Sequence, residues 1–269
     1  MSGNETILGM VGSPNSDGRT NRLVTAALEG AAEAGAATEV VQMSDYVVNA
    51  CRDCLPWVCL KNLRCTHDDE NFEMLSHKIL NCGGLVFGTP VYWWDTSAMV
   101  RYLILKMFRV YAMSGKLRGL PALGVAIAGG TGNGLITGLR PVYHFFQIMQ
   151  MRALEPVPAT RFDFSQATEK ARDLGRQIAG MRHERDPFGS WEECLLWYDR
   201  LPYLGESRVA ERRLLAAITS EAIPDGSKPD VDGDLARADV LAASGQSLDS
   251  IKEISKVVSS CSAMLSDKQ

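Results

Sequence analysis

The chain of 269 residues has 46% hydrophobic and 22% charged side chains, an ordinary globular balance that excludes disorder, collagen and coiled coil as global descriptions. Its length suits one or two domains. With 28 Lys and Arg against 32 Asp and Glu, the net charge of −4 gives no long-range pull on phosphate backbones or anionic lipid, so neither nucleic acid nor a membrane is expected as a partner.

The first two thirds alternate strand and helix patterns. Ile7–Gly12 is a short apolar run ending in glycine, and Thr20–Ala34 carries Leu23, Ala26, Ala27, Leu28 and Ala31 at helical spacing. Thr38–Met43 is short and β-branched, and a polar, cysteine-bearing loop follows to His67. Asp68, Asp69 and Glu70 suit a helix N-terminus, and Phe72, Leu75 and Ile79 supply its apolar face. Gly84–Gly88 reads as a buried strand, Thr96–Met113 as a helix, Pro121–Gly130 as a strand running into a glycine loop, and Leu135–Met149 as a helix. A short strand near Arg152–Val157 and a helix near Gln166–Met181 complete the series.

A β-α unit repeated five times predicts a parallel sheet with helices on both faces. The expected fold class is therefore α/β, a flavodoxin-like doubly wound five-stranded sheet of order 2-1-3-4-5, with chemistry at the strand C-terminal ends. The alternation stops near Asp186, so the expected domains are residues 1–185 and a helical extension, 186–269. Within the extension, helices are expected around Trp191–Tyr198, over Glu206–Ala222 and over Ser247–Leu265, the last with an apolar stripe. Ile223–Gln246, rich in Pro, Gly, Asp and Ser, reads as a linker or long loop, and its Asp230–Asp234 run lacks the Gly and Glu of a calcium loop.

Three loops carry candidate chemistry. Gly12–Asn21, GSPNSDGRTN, is glycine-bearing and hydroxyl-rich and feeds a helix N-terminus, a ready anion site, although an ordinary β–α turn has the same composition. It matches neither of the two common glycine-rich nucleotide fingerprints. Thr89–Trp94, TPVYWW, places three aromatics in a row, suited to stacking on a planar ring or to a subunit contact. Gly129–Gly132, GGTG, lets backbone approach a ligand closely.

Together, GSPNSDGRTN after the first strand, GTPVYWWDTSAMVRYLI after the third and AIAGGTGNG after the fourth resemble the NADPH-dependent FMN reductase family over roughly residues 5–182. This flavodoxin-like group includes iron-sulfur flavoproteins. The resemblance implies an FMN phosphate among Ser13, Asn15, Gly18, Thr20 and Asn21. Many relatives carry Arg where Asn15 stands; Arg19 offers a charge nearby. It further implies isoalloxazine contacts from Pro90, Val91, Tyr92 and Trp93, a substrate-side wall from Trp94, and a pyrimidine edge against Gly129, Gly130 and Thr131. NAD(P)H is the implied co-substrate, and a small molecule such as a quinone, or a protein, the implied acceptor. The flavin carries the chemistry, so no side chain is named as catalytic. A non-catalytic flavodoxin-like electron carrier and a flavin-free scaffold are the alternatives.

Of seven cysteines, four form the spacing Cys51-x2-Cys54-x4-Cys59-x5-Cys65, and an odd total argues against a disulfide framework. Four thiolates within fifteen residues can wrap a 4Fe-4S cluster or a zinc ion, or stay metal-free. In iron-sulfur flavoproteins the motif occupies this loop as C-x2-C-x2-C and a later cysteine. Here Trp57 holds the third position and Cys59 follows two residues later, as if Pro56–Trp57 were inserted. His67 beside the loop is a spare ligand or a solvated helix-start residue. The leading MSGNETI lacks a basic n-region. A cytoplasmic homo-oligomer, dimer or tetramer, is expected.

Overall fold

Burial of apolar strands between helical layers explains the order of elements. The structure is a computed structural model that describes residues 6–54, 58–205, 208–224 and 231–266. β1 (Thr6–Val11) is buried from Ile7 onward, as a strand covered on both faces must be. It leads into α1 (Arg19–Glu33), β2 (Ala37–Gln42), a 3-10 turn at Met43–Asp45, α2 (Val58–Asn62) and α3 (Glu70–Asn81). Next come β3 (Gly84–Tyr92), β4 (Asp95–Thr96), α4 (Ala98–Tyr111), β5 (Pro121–Ala128) and α5 (Leu135–Ile148). β6 (Arg152–Ala153), β7 (Val157–Thr160), α6 (Phe164–Gly180) and α7 (Trp191–Asp199) follow, then α8 (Arg208–Glu221), α9 (Val231–Ala243) and α10 (Ser247–Ser266).

The main sheet runs β2-β1-β3-β5-β6 and is parallel throughout. In its long strands this is the doubly wound pattern expected. It departs in two details that raise the strand count from five to seven. β4 is an antiparallel stub on β3, and the fifth position is split between β6 and β7, which both pair with β5. Pro156 lies in the gap and has no N–H to give a ladder.

Small residues set the helix-to-sheet spacing. A Cβ on Gly9 would stand 2.7 Å from both Leu28 and Val24 of α1. α1 and α6 meet backbone to backbone: a Cβ on Gly30 would collide with the Arg172 carbonyl, and one on Gly175 with that of Ala27. Arg172 and Arg176 reinforce the contact with ion pairs to Glu29 and Glu33.

By internal contacts the chain forms two compact units, residues 1–159 with 165–204, and residues 160–164 with 205–269. α7 belongs to the first, although it lies beyond residue 185. Trp197 Nε1 donates to the Ala153 carbonyl at 2.9 Å, and Tyr198 Oη to that of Met151 at 2.8 Å. The buried Arg152 guanidinium stacks 3.8 Å from the Phe188 ring centroid and 4.7 Å from that of Trp197.

The second unit has its own core, including Ala216, Leu235, Ala238, Ile254, Val257 and Cys261. The expected linker over 223–246 is corrected here: it contains α9. Val231, Leu235 and Ala238 recur at helical spacing and are buried, and Asp232 and Asp234 favour the first turn. Met1–Glu5, Pro56, Trp57, Glu206 and Asp230 lie outside the described residues.

Candidate functional site

β1, β3 and β5 are adjacent and parallel, so the loops leaving them gather at one edge of the sheet. The first is fastened at its root. Gly12 N donates to Gly88 O at 2.8 Å, and Ser97 Oγ donates to Gly12 O at 2.6 Å. A Cβ on Gly12 would collide with Val100 and stand 2.8 Å from Gly88 O, so only glycine allows this exit.

The loop side chains then shape the loop itself. Ser13 Oγ accepts from Asn15 N at 3.2 Å, and Asn15 Oδ1 from Asp17 N at 3.0 Å. Asn21 Oδ1 accepts from Thr25 Oγ1, and Thr20 is buried. Gly18 caps α1 with no side-chain hydrogen bond.

That missing cap is informative. α3, α4 and α7 are capped by Asp69, Ser97 and Ser190, each of which accepts a first-turn N–H. α1 and α5 begin instead at Gly18 and Gly134, with no side-chain cap. Both helices follow the strands that flank β3, so two helix N-termini without side-chain caps border the same strand end, each directing the positive end of a dipole there.

The aromatic run is a hairpin, not an irregular loop. Val91 pairs with Thr96 and Tyr92 with Asp95, leaving Trp93 and Trp94 as a two-residue turn with φ of 53° and 58°. Such a turn favours Asn-Gly; bulky residues there carry strain. The two indoles meet edge to face at 5.5 Å, and Trp93 is 89% exposed. Pro90 lies inside β3 opposite Ile127, and Val91 packs toward α5, where a Cβ on Gly138 would stand 2.8 Å from it. Asp95 secures the hairpin through a two-pronged pair with Arg101 at 2.8–3.1 Å.

The three loops touch. A Cβ on Gly134 would stand 2.7 Å from Trp94 Cα, so the glycine loop closes directly on the hairpin. Arg19 Nη1 would stand 3.9 Å from a Cβ on Gly129. Gly129, Gly130 and Thr131 are exposed. Among the described residues two buried acceptors have no donor: Asn133 Oδ1 in the glycine loop, and Gln42 Oε1 at the end of β2, whose Nε2 donates to Ser13 O. Sequence reasoning did not single out either residue. The available signal was a polar amide beside glycines in one case and at a strand C-terminus in the other.

The cysteine loop forms a second locus. Cys51, Cys54, Cys59 and Cys65, all half-buried, line one small cavity with His67, Lys106 and Arg109. Cys59 rides on α2, a short helix within the expected loop. Among the described residues, no three of His, Cys, Asp and Glu are spaced to hold a single metal ion. Behind the cavity, Asp69 accepts from Phe72 N at 3.1 Å and Asn49 N at 2.9 Å and pairs with Lys106, both side chains almost fully buried. Burial alone would raise the Asp69 pKa; Lys106 and the two N–H donors outweigh it and hold the carboxyl below its usual range.

The scattered cysteines differ in kind. Burial pushes the Cys82 thiol up to about 12 and the Cys194 thiol to about 11, which makes them inert packing residues.

A family model for NADPH-dependent FMN reductase matches residues 6–168. Two iron-sulfur flavoproteins of Methanocaldococcus jannaschii are similar in sequence. One is 30% identical over 54% of this chain and 73% of its own length, and the other 29% identical over 54% and 72%. In structure the chain resembles a flavone reductase (TM-score 0.52, 16% identity, 65% of this chain), of whose length it spans 62%. It also resembles an NAD(P)H:quinone oxidoreductase from Methanothermobacter marburgensis (TM-score 0.50, 18% identity, 66% of this chain and 96% of the other). These likenesses carry the fold. Among the described residues no helix is long and apolar enough to cross a membrane. With the match covering more than half of its length, including all three loops at the sheet edge, the chain belongs to the NADPH-dependent FMN reductase family.

Proposed function

We propose that the protein is an FMN-dependent oxidoreductase that takes electrons from NAD(P)H and passes them to a quinone, another small molecule or a protein acceptor. The observation that carries this reading is the pair of helix N-termini without side-chain caps flanking the end of β3, with the unpartnered Asn133 Oδ1 beside the start of α5. One end suits a phosphate, and the orphan acceptor suits an N–H of the flavin pyrimidine ring. In this reading Ser13, Asn15, Gly18, Thr20 and Asn21 build the phosphate cradle. The Pro90–Trp94 hairpin walls one side of the flavin, and Gly129, Gly130 and Thr131 approach its edge. Bound FMN supplies hydride acceptance and single-electron release, which no side chain here offers. The chain's part is to orient the ring and exclude water.

The four-thiol cavity supports a 4Fe-4S cluster at Cys51, Cys54, Cys59 and Cys65 over zinc. Two similar proteins of Methanocaldococcus jannaschii carry the name iron-sulfur flavoprotein, which favours a cluster over zinc at these thiols. Seven free thiols support a reducing, cytoplasmic setting. Tyr102, Leu105 and Phe108, exposed at three-residue spacing along α4, support a homo-oligomer. The test is the absorbance spectrum after anaerobic purification, then NAD(P)H oxidation with and without a quinone. Flavin bands with rapid oxidation are expected. A colourless protein that binds no added FMN would overturn the proposal, and flavin without turnover would favour an electron carrier.

A further inference from the structure

We propose that Arg109 is the positioning residue of the cysteine site, holding the Asp53–Cys54 turn so that Cys51 and Cys54 face the shared cavity. Its Nη2 donates to the Cys54 carbonyl at 3.1 Å and pairs with the Asp53 carboxylate at 3.0 Å. Asp53 has φ of 47°, a left-handed conformation that Asp enters more readily than most side chains but that outside bonds still help to fix. Thr66 Oγ1 donates to Cys54 Sγ at 3.3 Å from the same loop, and Arg109 supplies the two bonds that tie the turn to a long helix.

Arg109 acts with a neighbour. Lys106, one turn earlier on α4, fixes the loop's other end through Asp69, which accepts from Asn49 N. α4 thus grips the segment on both sides, and its two cations line the cavity of the four thiols. The same helix begins at Ser97, which is bonded to Gly12 of the first loop. Arg109 lies twelve residues further along, about 18 Å of helix axis. One rigid element therefore sets the spacing between the phosphate-loop root and the cysteine site.

Two consequences are separable. Geometrically, the one nitrogen Nη2 of Arg109 meets a carbonyl and a carboxylate at once, held there by a rigid guanidinium that a lysine ammonium on a flexible stem only partly replaces. Electrostatically, a retained positive charge beside the cavity favours the more reduced, more negative state of whatever redox group the thiols carry. The second consequence rests on the cluster reading above; the first does not.

The test uses full-length protein with Arg109→Ala and Arg109→Lys. In the metal-free form, tryptic cleavage after the exposed Arg52 reports the order of the turn directly. It is expected to be roughly tenfold faster in Arg109→Ala, with FMN content unchanged. In the iron-loaded form, iron release to a chelator is expected to be roughly tenfold faster, the scale seen when a residue supporting a metal ligand is lost. Arg109→Ala moves the cluster's midpoint potential to more negative values. Arg109→Lys restores the potential but only part of the iron retention, a split that a merely structural role would not produce. Unchanged cleavage after Arg52 in Arg109→Ala overturns the proposal. If the wild-type chain holds no iron after anaerobic reconstitution, the cluster reading fails and the cleavage rate alone decides the role of Arg109.

Discussion

The buried Asp69–Lys106 pair offers the sharpest stability test. Both side chains are almost fully buried, and Asp69 also caps α3 and holds Asn49. Asp69→Asn keeps the shape and an oxygen for Phe72 N but leaves the Lys106 ammonium buried without its counter-charge. Such a loss costs about 3–5 kcal/mol. Lys106→Met should cost less, about 2 kcal/mol, because two backbone N–H donors remain on the carboxylate, each charge-assisted bond being worth about 1.5–3 kcal/mol. The double variant removes both charges and should cost no more than either single change. The coupling is then at least about 3 kcal/mol, read from urea unfolding. The pH dependence has a definite sign. The Asp69 pKa is depressed in the folded state, so its contribution is fully present above the unfolded value of about 3.9 and drains away as pH falls through the lower folded value. The gap between wild type and Asp69→Asn should stay constant from pH 7 to 5 and shrink below about 4. Additive single costs, or a gap independent of pH down to 3, would refute the reasoning.

Other outcomes follow from the candidate site and the helix contact. Asn133→Leu removes an acceptor that has no donor among the described residues, so stability should hold or rise by up to about 1 kcal/mol while FMN binds roughly tenfold more weakly, measured by thermal melting and flavin fluorescence quenching. Trp93→Gly relieves a left-handed bulky residue and should raise the urea midpoint by about 1 kcal/mol equivalent, while the Michaelis constant for an aromatic acceptor increases. Gly30→Ala pushes a methyl into the Arg172 carbonyl and should cost at least about 3 kcal/mol, seen as a lowered melting temperature with a normal flavin spectrum in the surviving folded fraction.

The strand-helix alternation was legible because burial on both faces of a parallel sheet enforces apolar runs such as those in β1 and β5, and helical spacing exposes the faces of α1 and α3. Two features were not. The stretch after Ile223 looks like a linker in composition, yet Val231, Leu235 and Ala238 need only a stripe of three buried positions to dock a helix. The TPVYWW run gives no hairpin signal, because Trp-Trp is about the last pair a tight turn would select; pairing to Asp95–Thr96 imposes it. At the candidate site, glycines and hydroxyls mark the loops, but which atoms lack partners is a property of packing. Asn133 and Gln42 emerge only once every neighbouring donor has been placed.

The backbone contacts of Gly30 with Arg172 and of Gly175 with Ala27 reach into the biosynthesis of the chain. The small-residue face of α1 emerges from the ribosome early, but the helix that covers it is completed some 145 residues later. At about 5–20 residues per second that delay is on the order of ten seconds. Throughout it, β1 has its neighbours β2 and β3 available while one side of α1 waits uncovered. The slow step in vectorial folding should then be the arrival of α6, and nascent chains stalled before Gly175 should be the species that chaperones retain.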